Sequence, residues 1–157
     1  MTDLTKELLK HQTFMRTALK AAASSDQDIP IGALIVINDE IIAAFCNEKE
    51  KRQDPTAHAE ILAIQAACKR LGTWRLADAV LYTTLEPCPM CAEAILQSRV
   101  GTLIFGAYDP LSGACGSAFN LYKEGRIYPP PETLGGILEE ECSNVLKVFF
   151  RERKALT

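Results

Sequence analysis

Residues 79–107 read AVLYTTLEPCPMCAEAILQSRVGTLIFGA, and this stretch decides the fold class. Its first seven residues are apolar, aromatic or β-branched, which predicts a buried strand. Pro87 is a helix-start signal, so PCPMCAEAILQSR is predicted to be a helix, and VGTLIFGA is a second strand. A parallel crossover of this kind places LEPCPMC at the carboxyl end of its strand, where open α/β sheets tend to carry their sites.

The remaining segments extend this pattern into an α/β domain with a mixed sheet covered on both faces. IGALIVI and IIAAFCN flank NDE and predict a β-hairpin. Helices are predicted over residues 4–23, from Asp54 and Pro55 to Gly72, and over residues 138–154. His11 lies beside the apolar seam of the first helix, which favours a packed residue. Residues 48–54 are predicted to be a charged loop, and residues 107–136 a long region rich in Gly and Pro.

The bulk properties are those of one globular domain spanning residues 1–157. The chain is 48% hydrophobic and 24% charged, and its most apolar run, residues 29–38, is far too short to cross a bilayer. The N-terminal residues show no signal-peptide pattern, so we expect a cytoplasmic protein with no membrane association.

The charge pattern argues against a protein that binds nucleic acid over its whole surface, because the net charge is −3. Residues 144–157 hold four basic residues against one acidic residue, Glu152, a local charge of +3. By itself such a cluster indicates a solvated helix face.

Cys88 and Cys91 form a C-x-x-C pair at a predicted helix start, where both sulfurs project from one face. A helix N-terminus lowers the pKa of a thiol and favours the thiolate that binds metal or does redox work. A redox pair, half of a zinc site and coincidence all remain open for this motif alone. The other four of the six cysteines are expected to be packed small residues.

His58 adds a third ligand of the kind that zinc prefers. A structural zinc site usually has four protein ligands, and this chain has no second C-x-x-C pair. His58, Cys88 and Cys91 leave a fourth position for water, which is the arrangement of a catalytic zinc site. A structural site remains an alternative if another side chain, such as Glu60, supplies the fourth ligand.

Glu60 follows His58 by two residues, so on a helix it points roughly 200° around the axis from the histidine. It is therefore a poor candidate for a further metal ligand, because it does not point in the same direction as His58. It can instead line the pocket beside the metal-bound water and act as a general acid and base. The alternative is that Glu60 only stabilises the N-terminus of its helix.

The combination H-x-E and P-C-x-x-C is the known signature of zinc-dependent nucleobase deaminases. Blocks beyond this signature resemble the bacterial tRNA-specific adenosine deaminases of the cytidine deaminase-like superfamily. They are IPIGALIV, DPTAHAEI, LYTTLEPCPMC, SRVGTLIFGAYDP, GILEEEC and FFRER, in the family's order.

The resemblance implies a three-layer α/β/α sandwich around a five-stranded mixed sheet. It also implies conversion of adenosine to inosine at the wobble position of a tRNA anticodon, with one zinc ion per subunit and the tRNA anticodon loop as partner. Members of the family are homodimers, so a homodimer is expected.

Carried over residue by residue, the resemblance implies specific roles. His58, Cys88 and Cys91 would hold zinc and Glu60 would move protons. Asn47, the backbone N–H of Ala59 and the side chain of Ile29 would bind the base, and Asp109 would lie near the ribose or backbone. Phe149, Phe150, Arg151 and Arg153 would pack around the anticodon loop.

Two features depart from the family pattern. The segment EGRIYPPPETLGG, residues 124–136, carries Pro129–Pro131, which predicts a short or displaced fifth strand. The acidic net charge predicts few phosphate contacts. Deamination of a free base or nucleoside (guanine, cytosine or cytidine) is therefore an alternative, and a non-catalytic zinc-stabilised module is a more remote one.

Overall fold

The computed structural model describes residues 1–123 and 125–155. The predicted single domain 1–157, the basic cluster 144–157 and the proline segment 124–136 each include residues that lie outside these ranges. None of the helices within the described ranges is both long and apolar enough to cross a membrane.

The described chain forms a five-stranded sheet and five helices. The helices are α1 (Asp3–Ala22), α2 (Lys49–Arg52), α3 (Ala59–Leu71), α4 (Pro89–Gln97) and α5 (Glu139–Ala155). The strands are β1 (Gly32–Ile37), β2 (Glu40–Cys46), β3 (Val80–Leu85), β4 (Thr102–Ala107) and β5 (Glu132–Leu134). Their order in the sheet is β2-β1-β3-β4-β5, with β1 antiparallel to β2 and β3, and β3, β4 and β5 parallel. The predicted mixed sheet is confirmed.

The predicted hairpin is confirmed, and its turn has a simple cause. Asn38 and Asp39 are the only residues between β1 and β2, and their φ angles are +50° and +62°. Asn and Asp adopt positive φ more readily than other non-glycine residues, and a two-residue turn with positive φ matches the twist of paired strands.

The two faces of the sheet pack against different helices. Along β1, Ala33 and Ile35 belong to the core cluster that includes the apolar side of α3, whereas Leu34 and Val36 belong to the cluster that includes Met15 of α1. α4 joins the first cluster and α5 the second. This alternation follows from the two-residue period of a strand and confirms the α/β/α sandwich.

Both helices that carry the H-x-E and C-x-x-C motifs start later than predicted. α3 begins at Ala59 rather than near Asp54, because the Asp54 carboxylate accepts from the Thr56 N–H and hydroxyl and closes a separate turn. α4 begins at Pro89 rather than at Pro87, and Pro89 takes the first helical position, where its missing N–H costs no hydrogen bond.

The charged stretch 48–54 and the fifth strand differ in how well they match the predictions. The charged stretch 48–54 contains the short helix α2, so the prediction of a loop throughout was wrong. Its last turn ends where Gln53 adopts a left-handed conformation with φ of +51°. The fifth strand is three residues long and lies at the edge of the sheet directly after Pro129–Pro131, which confirms the expected short strand.

The topology brings several chain segments to one edge of the sheet. β3 and β4 are parallel and end there at Leu85 and Ala107, while β2 ends at Cys46 opposite the start of β1. The segments that follow these three strands therefore meet along one edge.

We expect Leu81→Ala to lower the free energy of unfolding by about 2–5 kcal/mol, because Leu81 is fully buried between the sheet and α3 and its loss leaves a cavity. Urea unfolding of zinc-loaded protein measures the change. Ile127→Ala is the control, since Ile127 is 89% exposed and should shift stability by less than about 0.5 kcal/mol. Equal effects from both variants would contradict the assigned core.

Candidate active site

Three ligand-type side chains meet at this edge of the sheet. His58, Cys88 and Cys91 place one nitrogen and two sulfur atoms within 4.8 Å of one another. His58 and Cys88 are half-buried and Cys91 is fully buried. The structure therefore brings together the three residues that the spacing of the motifs predicted.

The distances suit a tetrahedral zinc ion. His58 Nδ1 lies 3.7 Å from Cys88 Sγ and 3.5 Å from Cys91 Sγ. With Zn–N near 2.0 Å and Zn–S near 2.3 Å, tetrahedral angles separate a nitrogen and a sulfur ligand by about 3.5 Å. The two thiols and the imidazole also form the soft donor set that zinc prefers, and Nδ1 is the ring nitrogen that faces the sulfurs.

The starts of α3 and α4 position these ligands. His58 is the N-cap of α3 and Cys88 is the N-cap of α4, and both have extended backbone angles. Cys91 lies in the first turn of α4, three residues after Cys88. Two helix N-termini therefore meet at the site, and their partial positive charge favours thiolates there.

The titration of the thiols is consistent with a cation site. A hydrogen bond from Cys91 lowers the pKa of Cys88 to about 4, with a further lowering from His58. The Cys88 thiolate in turn raises the pKa of His58, and the hydrogen bond to Cys88 together with burial raises the pKa of Cys91. The lowered pKa favours the thiolate form of Cys88, which is the form that binds zinc.

Glu60 lies in the first turn of α3 and is only 4% exposed. Burial raises the pKa of this carboxyl to about 7, although its own backbone N–H, His58 and Cys91 act in the opposite direction. A carboxyl group that exchanges its proton near neutral pH is suited to general acid–base work.

Asn47 follows β2 and connects it to α3. Its side chain is buried, and Asn47 Oδ1 accepts a hydrogen bond from the Ala59 N–H at 2.8 Å. The Asn47 N–H donates to the Ile31 carbonyl at 3.2 Å. Asn47 therefore satisfies the first free N–H of α3, so the Ala59 N–H that was expected to bind the base is engaged by Asn47.

A cavity of about 450 Å³ adjoins Asn47. It is lined by residues 24–28 and by residues between Cys46 and Gln53. Ile29, the predicted apolar wall, is half-buried directly after the lining residue Asp28.

Asp109 lies in the loop that follows β4. Its Oδ1 accepts hydrogen bonds from the N–H groups of Leu111 and Ser112, both at 3.1 Å. The carboxylate thus shapes its own loop, and its role near the ribose stays a prediction.

The predicted RNA-contacting residues of α5 lie on two faces of the helix. Phe149 is half-buried, and the Arg153 guanidinium lies 5.2 Å from its ring and donates to the carbonyl of Gln27 on the cavity wall. Phe150 and Arg151 instead line a separate groove together with Lys147. Arg153 is therefore close to the cavity, whereas Arg151 is not on the same face.

Two buried carboxylates at this edge were missed by the sequence reasoning. Asp28 accepts from the Glu50 N–H with both oxygens, at 3.3 and 3.2 Å, and holds α2 against the cavity. Glu86 lies two residues before Cys88 and is 2% exposed. A carboxylate directly beside a C-x-x-C motif, at the end of an otherwise apolar strand, was the available signal for Glu86.

Comparisons with known proteins agree with this geometry. The profile of the family described as "Cytidine and deoxycytidylate deaminase zinc-binding region" matches residues 8–107. The tRNA-specific adenosine deaminase of Bacillus subtilis (strain 168) is 49% identical over 147 residues, covering 92% of this chain and 91% of that protein. The corresponding protein of Agrobacterium fabrum is 41% identical, covering 90% of this chain and 94% of that protein.

The chain belongs to the tRNA-specific adenosine deaminase family. A solved structure from a study of A-to-I editing by tRNA:A34 deaminases at the wobble position of transfer RNA has a TM-score of 0.82 to this deaminase family member. The two sequences are 40% identical, and the match covers 85% of this chain and 99% of the solved chain. The cytidine deaminase-like fold is thereby confirmed, and zinc is the cofactor.

A guanine deaminase structure from Bacillus subtilis is also similar to this family member. It is 35% identical with a TM-score of 0.61, covering 88% of this chain and 92% of that chain. Both measures are lower than those of the tRNA:A34 deaminase structure, so the free-base alternative is less supported.

We expect Cys91→Ser to reduce the zinc content of purified protein well below one ion per chain, because a serine hydroxyl is a much weaker zinc ligand than a thiolate. Mass spectrometry of metal content measures this. Cys68→Ser is the matched control, since Cys68 lies towards the other end of α3 and should leave zinc unchanged. Full zinc occupancy in Cys91→Ser would contradict the assigned ligand set.

Proposed function

We propose that this chain catalyses the zinc-dependent hydrolytic deamination of adenosine to inosine at the wobble position of a tRNA anticodon. The observation that carries the proposal is the site itself: a His58, Cys88 and Cys91 group beside a buried Glu60. It lies in a chain 41–49% identical to tRNA-specific adenosine deaminases over most of its length.

His58, Cys88 and Cys91 are the proposed zinc ligands. Their distances match a tetrahedral ion, and three protein ligands leave one position open, as catalytic zinc sites require. When bound, zinc supplies a Lewis acid that lowers the pKa of a water molecule in the open position.

Glu60 is the proposed proton carrier. It accepts a proton from the attacking water and delivers it to the ring nitrogen of adenine as the new C–O bond forms. It then takes the remaining proton of the added hydroxyl group and gives it to the amino group, so that the C–N bond breaks, ammonia leaves and the carbonyl of inosine forms. Its burial supports this role, because a pKa raised to about 7 lets the carboxyl both accept and release a proton at neutral pH.

Asn47, Ile29, Ala59 and Asp109 are the proposed substrate-binding residues around the base. Asn47 Oδ1 is already bonded to the Ala59 N–H, so the Asn47 amide nitrogen is the group of that side chain that we expect to bind the base. The Ala59 N–H reaches a base only by sharing or exchanging this bond. Ile29 supplies an apolar surface and Asp109 lies in the loop after β4.

Phe149, Arg151 and Arg153 are the proposed contacts to the anticodon loop. Arg153 is supported most directly, because it bonds the Gln27 carbonyl beside the cavity. Single-stranded RNA loops are bound by aromatic stacking together with basic side chains, which these residues offer.

The wider assembly is also proposed. We propose a homodimer acting in the cytoplasm on the anticodon loop of tRNA, with residues 1–157 as a single catalytic domain. One continuous sheet with a core cluster on each face supports the single domain.

We expect wild-type protein to produce inosine from an anticodon stem-loop with adenosine at the wobble position, and Glu60→Gln to lower turnover by about 10²–10⁴-fold. Digestion to nucleosides followed by chromatography measures inosine. Glutamine keeps the shape of the side chain but cannot carry the proton, so zinc should stay at one ion per chain.

Glu140→Gln, an exposed change in the first turn of α5, is the matched control and should keep full activity. Loss of zinc and of stability in Glu60→Gln would instead support a structural zinc module. Ammonia release from free guanine or cytidine by zinc-loaded protein that makes no inosine would support the free-base alternative.

We expect light scattering during size-exclusion chromatography to give twice the chain mass of 17.2 kDa. The mass should stay at this value on dilution until the protein concentration approaches the dissociation constant of the dimer. A monomer mass at all concentrations would contradict the proposed homodimer.

A further inference from the structure

Glu86 has an unusual environment for a carboxylate next to a metal site. It follows β3 directly and precedes Pro87 and Cys88. Its side chain is 2% exposed and enters the loop after β4 rather than the group of zinc ligands. Buried carboxylates are costly unless their oxygens are satisfied, so the partners of Glu86 indicate what it does.

Four donors from one loop satisfy this carboxylate. Glu86 Oε1 accepts from the Asp109 N–H at 3.1 Å and from the Ser117 hydroxyl. Glu86 Oε2 accepts from the N–H groups of Cys115 and Ser117, both at 3.1 Å. All four donors belong to residues 108–118, which we call the β4 loop, and the bonds to its two ends fix its position.

Two further contacts press the β4 loop against the metal-bearing segment. The Ala114 N–H donates to the Pro87 carbonyl at 2.8 Å, one residue from Cys88. Gly113 packs so closely that a Cβ atom there would lie 2.4 Å from Glu86 Cδ and 2.5 Å from the Asp109 carbonyl oxygen. The loop, the carboxylate and the start of α4 therefore form one packed unit.

The hydrogen-bond donors around Glu86 favour a carboxylate over an amide at this position. Both oxygens of Glu86 face donors, so the NH₂ group of a glutamine would oppose the N–H groups of Cys115 and Ser117 in one orientation. In the other orientation it would oppose the Asp109 N–H, and only the Ser117 hydroxyl could rotate to accept from it. Such a clash leaves buried N–H groups unsatisfied and releases the loop, although the size of the side chain is unchanged.

We infer that Glu86 is a positioning residue: its carboxylate holds the β4 loop, and with it Asp109, at a set distance from Cys88 as one wall of the substrate pocket. This inference rests on the proposed function, because the wall matters only for a substrate that reaches the zinc site. Glu86 itself touches neither the reacting base nor the metal.

The test is Glu86→Gln, compared with wild type and with Glu140→Gln as the matched control. Hydrogen exchange should be faster at the amides of Asp109, Cys115 and Ser117, while amides of β1 and β3 stay protected. The KM for the anticodon stem-loop should rise by about tenfold with kcat within about threefold, because substrate binding is lost rather than the chemical step. Zinc should remain at one ion per chain.

A graded variant keeps the inference testable if Glu86→Gln does not fold. Ser117→Ala removes one of the four donors and leaves the backbone bonds, so it should raise KM in the same direction by about two- to fivefold. Unchanged exchange in the β4 loop, or a fall in kcat with zinc loss and unchanged KM, would overturn the inference.

The exchange and zinc measurements need no substrate, which separates the two proposals. If wild type makes no inosine but the β4 loop is released in Glu86→Gln, the proposed function fails and the holding of the loop by Glu86 stands. If wild type is active and the loop is not released, the role of Glu86 alone fails.

Discussion

The site depends on two helix N-termini that meet at one edge of a mixed sheet. The first residues of α3 and α4 cannot satisfy their N–H groups within their own helices, and these groups carry partial positive charge. The N-cap residues His58 and Cys88 lie where that charge is felt, and their side chains approach within 3.7 Å. This environment lowers the pKa of Cys88, and a site with two cysteine sulfurs and an imidazole suits a zinc ion.

Three buried carboxyl groups at this edge of the sheet differ in the hydrogen-bond donors that surround them. Burial raises the pKa of Glu60 to about 7 despite the groups that favour its charged form, which suits its proposed role as proton carrier. Glu86 receives four hydrogen bonds and becomes a fixed anchor for the β4 loop. Asp28 accepts the Glu50 N–H and holds α2 beside the cavity. A carboxylate can therefore carry a proton or hold a chain segment in place, depending on the hydrogen-bond donors around it.

Much of the fold was predictable because strong local patterns agreed with the tertiary result. The hairpin, the strand–helix–strand unit and the long first and last helices all follow from periodicity and turn residues. The helix starts were harder, because Asp54 and Pro87 are helix-start signals that also suit turns. In both cases the helix begins later, so that His58 and Cys88 are the N-cap residues.

The sequence by itself was enough to predict the zinc ligands and the proton carrier, because H-x-E and P-C-x-x-C limit the chemistry to a few residue types at fixed spacing. It also determined the α/β class through alternating strand and helix patterns. Only the tertiary structure decided that His58 Nδ1 faces the sulfurs, that Asn47 caps α3, and that Arg151 and Arg153 lie on different faces of α5. It also decided the role of Glu86, whose four donors lie 23 to 31 residues away in the chain. Hydrogen bonds between such distant segments depend on strand order and register, which no local pattern encodes.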